Sequence, residues 1–262
     1  MNVPISTAII VPLAAGLVVL LSYGVARAAR RAGLARSGVL GMEVITGLSL
    51  WLTATAALAL GGVLEVSEGR MPREPLLPPM ALATCILLSL TGSFRRLLAA
   101  LPAWQPVALQ AFRIGVELAF WQLYQEGLAP RQVTFDGRNF DGLVGLTALP
   151  LAALMALGRV GPRTTIAWNI FGLVALANAI FTAATSAPGP QHLGWPGEPF
   201  AAIADWPVVW IPALFAPIGL FLHVLSIRQA VARIGAERGG ALADADRVRD
   251  SRNLIRNRRV EG

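Results

Sequence analysis

Residues 106–127 read PVALQAFRIGVELAFWQLYQEG, a stretch of 22 residues that carries only three charged side chains. A helix of this length rises about 30 Å, which matches the hydrocarbon core of a bilayer. Arg113 and Glu117 lie four residues apart within it, so they share one helical face and can pair. The stretch therefore predicts a membrane-spanning helix that buries two charges.

The rest of the chain has the same character. Of its 262 residues, 55% are hydrophobic and only 14% are charged, against about 25% charged in a typical soluble domain. The mean hydropathy is +0.60. We predict an all-α integral membrane protein, a seven-transmembrane-helix bundle. Its other six spans are Ile5–Ser22, Val39–Leu64, Pro79–Phe94, Leu143–Gly158, Thr165–Thr185 and Pro207–Ile227.

The charge of the connecting segments predicts the orientation. Arginine-rich connections follow the first, third, fifth and seventh spans, and the connections between them are acidic on balance. Because basic segments stay in the cytoplasm, the N-terminus is predicted outside and the C-terminus inside. Residues 1–227 form the transmembrane domain and residues 228–262 a basic cytoplasmic tail. The net charge of +7 is thus explained by contact with the lipid bilayer, and no nucleic-acid partner is expected.

Several cofactors are excluded by composition. All 22 basic residues are Arg, so no lysine can form a Schiff base with retinal or pyridoxal phosphate, and no P-loop can bind nucleotide. The chain has one cysteine, Cys85, and two histidines, His192 and His223. These are too few for a conventional zinc site, and no metal site is predicted. Any other cofactor remains open.

A first candidate site consists of polar residues within the predicted spans, where such side chains are costly. Arg113 and Glu117 lie about 10 to 17 Å into the fourth span. On the predicted topology, Glu43, Asn169 and His223 lie in the same, cytoplasmic half of the membrane. These five residues could converge on one binding pocket. The alternative is structural: an ion pair between helices, a helix cap and interfacial side chains.

A second candidate site lies in the connection after the fourth span, in the sequence EGLAPRQVTFDGRNFDG. Its polar residues are Glu126, Asp136, Arg138, Asn139 and Asp141. Asp136 and Asp141 could act as paired carboxylates in acid–base catalysis or bind a divalent cation. The alternative is ordinary turn chemistry, with Asn139 or Asp141 capping the fifth helix.

The seventh span carries Pro212 and Pro217 in its interior. Each proline removes one backbone hydrogen bond and kinks the helix. A carbonyl freed in this way could face a cavity, as in many transporters, although prolines are also common in ordinary membrane helices.

The fourth span and the connection that leads to the fifth carry the pattern VEL…EG…P…TFDGRNFD, from Val116 to Asp141. This pattern resembles an uncharacterised family of bacterial multi-pass inner-membrane proteins with no known activity. Further similar stretches are Trp168-Asn169, Gly172-Leu173, Asn178, Ser186–Pro188 and Pro207–His223. That family more usually has Glu at position 136, and Asp136 keeps the carboxylate. The resemblance implies a location in the bacterial inner membrane and no particular chemistry.

Three functions from different classes remain open. The first is binding or transport of a small molecule or ion through the polar cluster of the spans. The second is an accessory or assembly subunit, which would contact a membrane-protein partner or a second copy of itself. The third is an outer-face enzyme that uses Asp136 and Asp141 on a lipid or envelope precursor. The sequence favours the first and a role other than catalysis.

Overall fold

The computed structural model describes residues 4–65 and 73–258, with residues 241–258 described by their backbone alone. It is 76% helical and has no strand in the described ranges. Arg259, at the basic end of the predicted tail, lies outside the described residues. The helices are α1 Ile5–Arg31, α2 Ser37–Leu60, α3 Leu77–Ser89, α4 Gly92–Ala100, α5 Trp104–Leu109, α6 Phe112–Gln125, α7 Asp141–Ala156, α8 Pro162–Ser186 and α9 Ala216–Arg258.

Among the described residues, four helical stretches are long and apolar enough to cross a membrane: α1, α2, α8 and Ile211–Gly240, which begins five residues before α9 and continues into it. The pair α3 and α4 makes a fifth if it is one span, although its two parts meet at 87°. α7 is apolar but only 16 residues long. The prediction of an all-helical membrane protein is therefore confirmed.

The predicted fourth span is divided between α5 and α6, which together run antiparallel to α1. At one end of α1, the Ser6 hydroxyl donates a hydrogen bond to Glu126. Near its middle, Leu13 packs on Gly115, where a Cβ atom would lie 2.8 Å from the leucine side chain. Towards the other end, a Cβ atom on Gly24 would lie 2.7 Å from the Gln105 amide. α5 and α6 thus run beside α1 from Ser6 to Gly24 despite the break between them.

The prolines of the last span produce a π-helical segment, Ile211–Phe215, directly before α9. Pro217 has no N–H to donate to the carbonyl of Ala213, four residues earlier. The indole N–H of Trp51, in α2, donates to that carbonyl instead, at 2.9 Å. The carbonyl freed by proline therefore joins α2 to the last span.

Two connections that are not regular α-helix pack into the protein. The first, between α6 and α7, buries Val133, Thr134 and Asn139. Gly137 lies so close to the backbone of Arg131 that a Cβ atom would overlap its carbonyl oxygen, so only glycine fits there. The second connection, between α8 and α9, buries Phe200, whose ring lies 6.2 Å from that of Phe120. Both connections cover the same end of the bundle, where Gln132 donates to Ser186 at 3.1 Å.

Candidate functional site

The centre of the candidate site is an ion pair between Arg113 of α6 and Asp141, the first residue of α7. Arg113 is only 2% exposed. Its Nε–H donates to Gln110 Oε1 at 2.8 Å, and the Gln110 amide donates to the carbonyl of Gly219 at 3.0 Å. The helical spacing of Arg113 and Glu117 favoured a pair between those two residues. The structure instead pairs Arg113 with an acid 28 positions along the chain.

Glu117 joins the same group of residues through Asn139. The Asn139 side-chain amide donates to Glu117 Oε2 at 2.7 Å and to the Val133 carbonyl at 3.1 Å. Its own oxygen accepts from the backbone N–H of Asp141 at 3.0 Å. Glu117 Oε1 is buried and forms no hydrogen bond of normal distance and angle among the described residues, although the backbone N–H of Phe135 approaches the carboxylate. Asn139 therefore connects the Glu117 carboxylate with the backbone of Asp141.

These contacts merge the two candidate sites predicted from sequence. Two members come from the predicted span and two from the connection after it, and Gln110 was not predicted. We call this set the ion-pair cluster; it consists of Gln110, Arg113, Glu117, Asn139 and Asp141. It forms because the connection descends beside α6 before α7 begins. Glu117 lies nine residues before Glu126, about 13 Å along the helix at 1.5 Å per residue.

Glycines on neighbouring helices make room for the charged side chains. A Cβ atom on Gly219 of α9 would lie 2.7 Å from Arg113 Nη2. A Cβ atom on Gly142 of α7 would lie 3.2 Å from the Glu117 side chain. Both distances are shorter than ordinary van der Waals contact, so larger residues would displace the charged groups. Glycine at these positions lets the helices approach closely enough to enclose the cluster.

A second buried group, the histidine cluster, joins α8 and α9 and consists of Thr165, Asn169, His223 and Ser226. His223 Nδ1 lies 2.8 Å from Asn169 Oδ1, which can only accept, so Nδ1 carries the proton. The Asn169 amide donates to Ser226 Oγ at 2.9 Å and to the Thr165 carbonyl at 2.8 Å. The histidine cluster lies one helical turn along α9 from Gly219, beside the ion-pair cluster.

Four predicted site residues lie apart from both clusters. Glu43 is exposed on α2. Asp136 pairs with Arg131 at 2.9 Å on the surface. Arg138 lies over the ring of Trp195, with its guanidinium carbon 5.1 Å from the ring centroid. The remaining one is Glu126.

Asp136 and Asp141 therefore have different partners and different burial, and the structure does not join them into a carboxylate pair. Within residues 4–65 and 73–258, no group of three or more His, Cys, Asp or Glu side chains is arranged to hold a metal ion.

Glu126 binds the start of α1. Its carboxylate accepts the backbone N–H of Ser6 at 3.1 Å and the Ser6 hydroxyl at 2.5 Å. The Gln122 amide donates to it as well, at 3.3 Å. Partial burial alone would raise the pKa of Glu126, but the hydrogen bonds from Ser6 and Gln122 favour the charged form and hold the pKa below its usual value. The carboxylate thus serves as a cap for a helix with unsatisfied N–H groups.

A cavity of about 290 Å³ borders the ion-pair cluster. It lies between the start of α3, α6, α8 and the π-helical segment, and its walls are mainly alanine, proline, phenylalanine and aliphatic side chains. Polar groups reach it at only a few points, among them Arg113, Asn139, Asp141 and Glu74. An apolar chamber with a few fixed polar groups is typical of small-molecule sites.

Sequence reasoning missed Glu74 and Gln110. Gln110 lies one turn before Arg113, and a search for partners at i−3 as well as i+4 would have found it. Glu74 precedes Pro75 in a predicted external connection, and no local pattern indicates that it turns inward.

One family model matches this chain, over residues 76–231, and it describes a domain of unknown function, DUF8737. That range covers more than half of the chain and contains both buried clusters. The chain belongs to this family. The predicted resemblance to an uncharacterised family is confirmed. No curated protein and no solved structure matches the chain.

Proposed function

We propose that this protein binds a small molecule within the membrane, in the cavity beside the ion-pair cluster, and carries it across as a permease of the bacterial inner membrane. The observation that supports the proposal is a buried ion pair whose two partners, Arg113 and Asp141, both line the cavity. Charged residues inside a membrane are costly to keep, and they commonly mark the path of a substrate or ion.

The proposal includes a seven-span topology with the N-terminus outside. α5 and α6 run beside α1 from Ser6 to Gly24, which supports a full crossing by this broken pair. The arginine-rich segments follow the predicted first and third spans: Arg27 to Arg36 runs from the last turns of α1 to the start of α2, and Arg95-Arg96 lies within α4. On this topology the cavity lies nearer the outer end of the bundle, and the histidine cluster lies nearer the cytoplasm. Residues 228–258 of the tail continue the last span as the same helix, α9.

The transport step would need a second group that gains and loses a proton or ion. Glu117 is suited to this role, because Oε1 forms no hydrogen bond of normal distance and angle among the described residues while Oε2 is held by Asn139. Arg113 and Asp141 would hold the polar end of the ligand. Binding of a proton or an ion to Glu117 would change its hydrogen bond with Asn139. Asn139 also positions Asp141 by accepting its backbone N–H.

The cavity can be filled without touching a charge. Ala183 of α8 lines it, whereas Ala177 of the same helix is exposed and does not. Leucine at either position adds three carbon atoms. We expect native mass spectrometry in mild detergent to find a co-purified small molecule on the wild type and on Ala177→Leu, but not on Ala183→Leu. A ligand retained in full by Ala183→Leu would place binding elsewhere.

Glu117→Gln separates a mobile proton from a structural contact. Glutamine keeps the size and the oxygen that accepts from Asn139 but cannot ionise. We expect normal abundance in the membrane together with loss of transport. Disappearance of the protein from the membrane would instead assign Glu117 a structural role.

A further inference from the structure

The rim of the cavity lies between α3 and α8. Pro75 and Pro79 border it on the α3 side, and Ile180 and Ala184 border it on the α8 side. All four residues are exposed. In a membrane protein the exposed apolar surface of spanning helices meets lipid rather than water. The opening between α3 and α8 therefore connects the cavity with the bilayer.

Glu74 contributes a carboxylate to this cavity. It is only 4% exposed and begins a 3₁₀ turn, Glu74–Leu76, that leads into α3. Its own backbone N–H approaches the carboxylate, but neither side-chain oxygen has a hydrogen-bond partner on another residue in the described part of the chain. Burying an ionised carboxylate without a partner is expensive, so the ionised form of this group is stabilised by a cation or a donor that enters the cavity.

The charges of the cavity wall also favour a cation. Arg113 and Asp141 neutralise each other as an ion pair. Glu74 is the remaining ionisable side chain of the lining among the described residues, and in its ionised form it adds one negative charge that no other described lining residue balances. Most of the other lining side chains are apolar, including Phe112 and Phe215, whose stacked rings lie 5.7 Å apart. A ligand that fits this chamber has an apolar body and a positive end.

We infer that the ligand is a lipid-soluble amine, which enters sideways from the bilayer between α3 and α8 and places its ammonium group on Glu74. This inference rests on the proposed function and specifies the class of molecule that the cavity takes. The ammonium N–H groups donate to the Glu74 oxygens, and the hydrocarbon part packs on the alanine-rich face of α8. The Arg113–Asp141 pair then accommodates any further polar group of the ligand.

The test compares three probes with the same hydrocarbon chain and different end groups: octylammonium, octanol and octanoate. Binding is measured by thermal shift and calorimetry on the full chain in lipid nanodiscs. We expect octylammonium to bind at least about tenfold more tightly than either of the others, as for a charge-assisted hydrogen bond to a buried acid. Glu74→Gln keeps the shape of the side chain and is expected to abolish that preference. Glu65→Gln, at an exposed acid, is the matched control and is expected to retain it.

The outcomes distinguish this inference from the proposed function. Equal binding of the three probes, or an amine preference that survives Glu74→Gln, overturns the assignment of the ammonium to Glu74. If Ala183→Leu still weakens all three probes in that case, the cavity remains the binding site. If none of the probes binds and no small molecule co-purifies with the wild type, both proposals are wrong.

Discussion

Removing one partner of the Arg113–Asp141 pair should lower the free energy of unfolding far more than removing both partners. Asp141→Asn leaves the guanidinium of Arg113 buried without its counter-charge, and Arg113→Gln does the same to the carboxylate. At an effective dielectric constant of about 20, two charges about 4 Å apart attract by about 4 kcal/mol. Breaking a buried pair by removing one member typically costs about 3–5 kcal/mol. We expect a loss of this size in the free energy of unfolding for each single variant.

The double variant, Arg113→Gln with Asp141→Asn, leaves no unpaired charge. Its two amides can form hydrogen bonds with each other and with Gln110. We therefore expect the double variant to lose less stability than either single variant. Equilibrium unfolding in mixed micelles, titrated with SDS and followed by tryptophan fluorescence, measures all four states of the cycle.

The exposed pair Arg131–Asp136 is the matched control in the same protein. Its side chains are 62% and 44% exposed, against 1% and 10% for Arg113 and Asp141. Exposed pairs contribute about 0–1 kcal/mol because water screens them. The double-mutant cycle of each pair gives a coupling energy. If the coupling energy of the buried pair is no larger than that of the exposed pair, the reasoning that burial gives the Arg113–Asp141 pair its strength is refuted.

Two further predictions concern a glycine contact and a helix cap. Gly172→Ala should cost about 1–3 kcal/mol of stability, because a Cβ atom there would overlap the ring of His223; Gly235→Ala, which meets no atom within 4 Å, should cost nothing in the same unfolding assay. The hydrogen bonds from Ser6 hold the pKa of Glu126 in the folded protein below its value in the unfolded chain, which is about 4.3. These bonds therefore stabilise the folded protein fully at pH values above the unfolded pKa. The stabilisation is lost as the pH falls through the lower pKa of the folded state. Ser6→Ala should lower the melting temperature at neutral pH and reduce its decline in acid, and an unchanged acid profile would contradict this cap.

Some of the site was predictable because it depends on local properties. Arg113 and Glu117 stand out in an apolar stretch regardless of how the chain folds, since charged side chains are rare in membrane-spanning segments. Asn169 and His223 were also selected in this way, and the structure places them in contact at 2.8 Å. Glu43 was selected by the same criterion but is exposed on α2. Polarity within a span thus identifies candidates and does not decide which of them meet.

The sequence by itself determined that this protein is helical and belongs in a membrane, because hydropathy and helix length add up along the chain and need no tertiary contact. Only the tertiary structure decided the partner of Arg113. Helical spacing favoured Glu117, four residues away, but the connection after α6 descends beside that helix and delivers Asp141 to the guanidinium. The cavity and the inward turn of Glu74 have the same origin. They depend on how deep each connection packs, and that depth is set by contacts between residues far apart in sequence.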